Sequence, residues 1–127
     1  MAIAQLLALR STCLRNQIGA VIAKQGRIIS TGYNGVPSGL PHCTPDICNE
    51  DGPCTRTVHA EANAIVHAAK VGIKTDYATL YTTISPCLDC AKLIINAGID
   101  TVIFDKPYRD SSPIKYLLDA GVAVYPT

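Results

Sequence analysis

Three times in the second half of this chain a helix-length segment ends at a glycine and is followed by a short strand-forming run. Val58 to about Val71 carries Val58, Ala62, Ile65 and Ala69 at spacings of three or four, and Gly72 closes it. Tyr77–Thr83 then reads as a strand. Pro86–Ala97 is a second helix with proline at its start and Gly98 after its end, the asymmetry expected of helix termini. Thr101–Phe104 is the next strand, Ser112–Ala120 a last helix ended by Gly121, and Val122–Tyr125 a last strand. Repeated helix–strand units imply parallel strands joined by helices.

The first half supplies a different ingredient. Ala2–Leu9 reads as a short helix. Gly19–Lys24 and Arg27–Tyr33 are strand-like runs separated by the two-residue turn Gln25-Gly26, a hairpin signal. The expected architecture is therefore α/β: one mixed sheet, antiparallel at the hairpin and parallel afterwards, with helices on both faces. At 127 residues it fits one domain, residues 1–127, in which folding buries about 65–70% of the surface. No apolar run approaches the roughly 20 residues of a bilayer span, and Met1–Leu9 lacks the basic start of a signal peptide, so no membrane and a cytoplasmic location are expected.

Charge narrows the partners. Eleven basic and ten acidic residues leave a net charge of +1, without the basic excess of a long-polyanion binder. That argues against a long polyanionic partner but does not exclude a single nucleotide. Six cysteines are many for a cytosolic chain, where disulfides are disfavoured, so metal binding or catalysis is the better explanation.

Two of the six lie in Pro86-Cys87-Leu88-Asp89-Cys90, three residues apart at a helix start, so both thiolates project from one turn. Unpaired N–H groups at a helix N-terminus favour thiolates. The other motif is His59-Ala60-Glu61, which opens the preceding helix. One imidazole and two thiolates make three zinc ligands and leave a fourth tetrahedral position for water. Glu61 is two residues from His59, off its helix face, so it serves the water rather than the metal. His-x-Glu followed by Pro-Cys-x-x-Cys is the signature of zinc deaminases, in which the glutamate is general acid and base. A structural zinc knuckle would give no reason for Glu61.

His59-Ala-Glu-Ala-Asn-Ala-Ile65, Thr82-Thr-Ile-Ser-Pro-Cys-Leu-Asp-Cys-Ala-Lys92 and Gly32-Tyr-Asn-Gly35 resemble the bacterial and phage deoxycytidylate deaminases, within the cytidine deaminase-like fold. The resemblance runs from about Leu9 to Tyr125 and departs chiefly in a short N-terminus. It implies a three-layer α/β/α fold with a five-stranded mixed sheet. It also implies deamination of dCMP to dUMP and ammonia, feeding dTMP synthesis, with one catalytic zinc. By the same resemblance the Ala60 N–H and the Ser85 carbonyl orient the base. A homohexamer activated by dCTP and inhibited by dTTP, with magnesium accompanying the regulatory nucleotide, is the implied assembly.

Residues around these motifs have two readings. Asn34 is either a turn residue between glycines or a nucleotide contact, and the nucleotide role is favoured without choosing between substrate and regulatory pockets. Tyr108 can stack on the base, and Lys106 or Arg109 can hold the 5′-phosphate, against the alternative of a solvated charged loop. His67 and Lys70 read as helix-surface residues that relatives place near a subunit contact.

Cys13, Cys43, Cys48 and Cys54 remain, and four thiolates would complete a structural zinc site. Phage relatives carry a second zinc in the same regions, and His42 can replace one cysteine. The plain alternative is buried thiols. A site here would pin the aperiodic stretch from Asn34 to about Arg56, too long for an ordinary connection. Two other functions compete with the main reading: a tRNA or other polynucleotide deaminase with the same zinc chemistry, and a non-catalytic zinc-stabilised interaction module.

Overall fold

The computed structural model describes residues 1–13, 15–44 and 55–127. Its elements are α1 (Ala2–Ala8), β1 (Gly19–Lys24), β2 (Arg27–Tyr33), α2 (Ala60–Val71), β3 (Thr79–Ile84), α3 (Leu88–Asn96), β4 (Thr101–Lys106), α4 (Ser112–Asp119) and β5 (Ala123–Pro126). The five strands form one sheet in the order β2-β1-β3-β4-β5. β1 is antiparallel to both β2 and β3, whereas β3, β4 and β5 are parallel. The expected mixed sheet is present, and the switch from antiparallel to parallel falls at β3, one strand beyond the hairpin.

Alternation along the strands assigns the layers. Gly19 pairs with Tyr33 and Ala20 with Gly32, so these two pairs point to opposite faces. A Cβ on Gly19 would meet the Ala4 carbonyl of α1, and one on Gly32 would meet the Ala60 carbonyl of α2. Helices α1 and α2 therefore cover opposite faces. The buried core lies on the α2 face, where Ala20, Ile22, Leu80 and Val102 from the sheet meet Ala60, Ala64, Ala91, Ile94 and Leu117 from α2, α3 and α4. Alanines dominate α2 because the helix lies directly on the sheet, with Ser30 Oγ donating to the Ala64 carbonyl at 2.6 Å.

The hairpin turn has Gln25 at φ 52° and Gly26 at φ 77°, the two positive values of a two-residue turn that matches strand twist. Element ends shift from expectation for local reasons. Val58 is not helical: it exchanges backbone hydrogen bonds with Gly35, and the helix starts at Ala60. Tyr77 turns at φ 61°, so the strand begins at Thr79 rather than Tyr77. β4 runs on to Lys106 because Ile84 pairs with it. No helix among the described residues is long and apolar enough to cross a membrane.

Candidate metal centre

The three expected ligands meet where two helices begin. His59 is the N-cap of α2 and Cys87 the N-cap of α3, both in extended backbone (ψ 152° and 172°), and Cys90 sits one turn into α3. Extended caps throw their side chains ahead of the helix instead of along it. His59 Nδ1 lies 3.4 Å from both Cys87 Sγ and Cys90 Sγ. All three candidate ligand atoms lie within 4.8 Å of one another, and they are the only such group among the described residues.

These separations suit zinc. Zn–N near 2.0–2.1 Å and Zn–S near 2.3 Å at tetrahedral angles put nitrogen and sulfur about 3.6 Å apart. The observed 3.4 Å needs only a small expansion to admit the ion. The three ligands differ in protonation. Hydrogen bonds from Cys90 and His59 bring the Cys87 thiol down to about 4. Cys90 is pushed up by the neighbouring Cys87 and by burial, and His59 is raised chiefly by its hydrogen bond to Cys87. Cys87 is thus the ready thiolate, and Cys90 and His59 give up their protons when a metal takes their lone pairs.

Glu61 stands in the first turn of α2 with its side chain only 4% exposed. It points inward, where Thr82 Oγ1 of β3 donates to Oε1 at 2.8 Å. Burial raises its pKa above the ordinary glutamate value, and the Thr82 hydrogen bond opposes that rise. A carboxyl poised this way can take up and return a proton.

Ala60 is fully buried at the first position of α2, where a backbone N–H has no partner inside the helix. Ser85 is 2% exposed between β3 and α3, and its Oγ accepts from Tyr108 N at 2.6 Å. That bond sets the Tyr108 loop beside the Cys87 helix start, and the Arg109 guanidinium lies over the Tyr108 ring, 5.5 Å from its centroid. Asn34 is buried and braced: Oδ1 accepts from Ile18 N, Nδ2 donates to the Asn16 carbonyl, and its own carbonyl accepts from Ser11 Oγ. Its neighbour Gly35 is the residue bridged to Val58, so Asn34 ties the α1–β1 connection to the segment leading into His59.

Two features escaped the sequence. Thr82 is one, since a threonine in a strand carries no signal of a partner 21 residues away. The other is a cavity of about 430 Å³ lined by Cys13, Arg15, Asn16 and Gln17, next to the carbonyl that Asn34 holds. Of the second cysteine set, Cys13 is half-buried and Cys43 is 6% exposed, while Cys48 and Cys54 lie outside the described residues. His42 is exposed.

Known proteins are similar to this chain in sequence and fold. ComE operon protein 2 of Bacillus subtilis is 46% identical over 126 residues, covering 98% of this chain and 67% of that protein. The deoxycytidylate deaminase of Saccharomyces cerevisiae is 37% identical over 132 residues, covering 98% of this chain and 42% of its own length. The chain thus spans two thirds of the first and less than half of the second. The structure of dCMP deaminase from the cyanophage S-TIM5, in complex with dCMP and dUMP, superposes with a TM-score of 0.91 at 38% identity, covering 99% of this chain and 92% of that one. Residues 1–106 match the cytidine and deoxycytidylate deaminase zinc-binding region. With that match and the His59, Cys87, Cys90 and Glu61 geometry, the chain belongs to the cytidine and deoxycytidylate deaminase family.

Proposed function

We propose that this protein hydrolyses dCMP to dUMP and ammonia. The observation that carries the reading is the buried Glu61 carboxyl in the first turn behind a cradle of one imidazole and two thiols. His59, Cys87 and Cys90 hold zinc, which when bound supplies the Lewis acidity that makes water nucleophilic near neutral pH. Glu61 takes the proton as water attacks the carbon bearing the amino group. It passes that proton to the adjacent ring nitrogen, and it ferries the second proton to the departing amine. The Ala60 N–H donates to the base, and the Ser85 carbonyl accepts from its amino group. Burial of these groups excludes competing water.

The rest of the nucleotide runs towards Asn34, Tyr108 and the cavity at Arg15. Tyr108 stacks on the base or covers it, held in place by Ser85. Arg15 contacts the 5′-phosphate from the 430 Å³ cavity, and Arg109 from the Tyr108 side is the alternative grip. The names of the relatives support the substrate, as does the pair of nucleotides bound by the S-TIM5 enzyme.

Regulation and assembly follow the same reading. A second cavity, of about 340 Å³, borders Tyr33, Gly35, Ser38, Asn63 and His67, so one wall is the catalytic helix α2. It is the place for a dCTP or dTTP effector with its magnesium, on a cytoplasmic homohexamer. Exposed apolar side chains on α1 (Ile3, Leu6) and α2 (Val66) support association. A structural zinc on Cys13, Cys43, Cys48 and Cys54 completes the proposal.

Ammonia release from dCMP, CMP, deoxycytidine, dCTP and a tRNA tests the reading. Strong preference for dCMP is expected, and release from tRNA alone overturns it. Metal analysis should give two zinc atoms per chain, and a Cys48→Ser protein that keeps both removes the structural site.

A further inference from the structure

Glu61 is held by a residue that the zinc-ligand motifs do not contain. Thr82 is fully buried in the middle layer, on the face of β3 that meets α2. Its hydroxyl lies 2.8 Å from Glu61 Oε1 and 2.9 Å from the Ile84 carbonyl. Ile84 is the last residue of β3, and Ser85, Pro86 and Cys87 follow it directly. One hydroxyl therefore joins the first turn of α2 to the strand end that launches α3. Those are the two elements whose relative placement makes the metal centre.

We propose that Thr82 is a positioning residue for Glu61: its hydroxyl holds Oε1 and thereby leaves Oε2 turned to the reacting water. This rests on the deaminase reading. A glutamate carboxyl rotates freely about its last side-chain bond unless something fixes one oxygen. Burial alone offers no such constraint, whereas the Thr82 hydrogen bond at 2.8 Å does, with the Cys90 thiol a second hydrogen-bonding neighbour of the carboxyl.

The hydrogen count favours the arrangement. Thr82 has one hydroxyl hydrogen and faces two acceptors. When Glu61 is ionised, the hydrogen points at Oε1. When Glu61 carries the proton taken from water, that proton sits on Oε2, and Oε1 goes on accepting the threonine hydrogen. No proton leaves the threonine, and its hydroxyl need not turn. Glu61 thus keeps one orientation through both halves of a proton shuttle.

Thr82→Val is nearly isosteric and removes only the hydroxyl, and Thr82→Ser restores it. The zinc-loaded Val variant is expected to bind zinc and melt like the parent, to lose about tenfold in kcat on dCMP, and to keep KM within about twofold. The Ser variant should recover most of the loss. A second reading needs no turnover. The chain has two glutamates, Glu50 and Glu61, so protein labelled with carboxyl-¹³C glutamate gives two signals, and Glu61→Gln identifies one. In Thr82→Val the Glu61 signal should move and the Glu50 signal stay, with Thr82→Ser returning it. An unmoved Glu61 signal, an unchanged kcat in the Val variant, or a Ser variant no better than Val overturns the proposal. A parent protein inert on dCMP would sink the proposed substrate, while the carboxyl signal would still decide whether Thr82 holds Glu61.

Discussion

Helices α1 and α2 sit on opposite faces of the sheet by the same device, yet of the two only α2 begins at the candidate metal centre. Gly19 of β1 lets α1 approach until a Cβ there would stand 2.0 Å from the Ala4 carbonyl. Gly32 of β2 does the same for α2, at 2.3 Å from the Ala60 carbonyl. On the α1 face the close contact serves packing. On the α2 face it fixes the helix that is capped by His59 and opens with Ala60 and Glu61, so a displacement of about 1 Å there would be felt at the metal centre. Close packing of a small residue against a helix is in one case stability and in the other also alignment.

The largest effect expected on the α2 face comes without any packing change. Glu61→Ala should retain zinc and fold and lose on the order of 10³-fold in rate, since a positioned general acid–base group contributes about 10²–10⁴. Zinc analysis beside an ammonia assay checks this. Loss of zinc together with rate would make Glu61 a structural residue and erase the contrast between the faces.

Next come the two glycines, taken as a pair. Gly19→Ala and Gly32→Ala both force backbone apart and should each cost about 3 kcal/mol, the upper part of the range for overpacking. Denaturant melts should show similar losses. The rate per folded, zinc-loaded molecule should separate them: near parental for Gly19→Ala, about tenfold or more below it for Gly32→Ala, because a small misplacement of a catalytic group is costly. Equal specific activities would mean that α2 moves as freely as α1 without consequence.

Ser30→Ala is a gentler probe of the same helix. Ser30 Oγ donates to the Ala64 carbonyl at 2.6 Å in a buried place. That carbonyl keeps its own helical bond, so the loss should be about 1 kcal/mol in a urea melt, with activity little changed.

The contrast between what could be read from residues alone and what could not follows from range. Cys87 and Cys90 were legible because three residues are one helical turn, and the starts of α2 and α3 were marked by His-x-Glu and by Pro86. The helix–strand alternation gave the layers. Range also explains the misses. Val58 reads as helical by its spacing, but its backbone is taken by Gly35, 23 residues away. Tyr77 looks like strand, and only its left-handed φ removes it. Thr82 has the composition of any strand residue, and its partner is a different element. Asn16 accepts from Asn34 and, with Arg15, lines a cavity, and no spacing announces either.

The smallest effect lies at the far end of the sheet from the metal. Lys24, the last residue of β1, reaches Asp76 in the α2–β3 connection at 3.1 Å. β1 runs antiparallel to β3, so Lys24 stands at the start of β3 and the ligands beyond its end. The Lys24 ammonium, by hydrogen bond first and charge second, holds the Asp76 carboxyl below the ordinary 3.8. A depressed folded-state pKa means the pair stabilises at neutral pH and loses that contribution as pH falls through the lowered value. Asp76 is half-exposed, so solvent and salt leave little of it. A ¹³C-aspartate titration should find Asp76 with a low midpoint that returns to the ordinary value in Lys24→Met, while deaminase rate at neutral pH stays as in the parent. A rate that fell with this distant pair would show that the sheet transmits strain along its length, and that the separation between a packing region and a chemical one is less sharp than the two glycines make it.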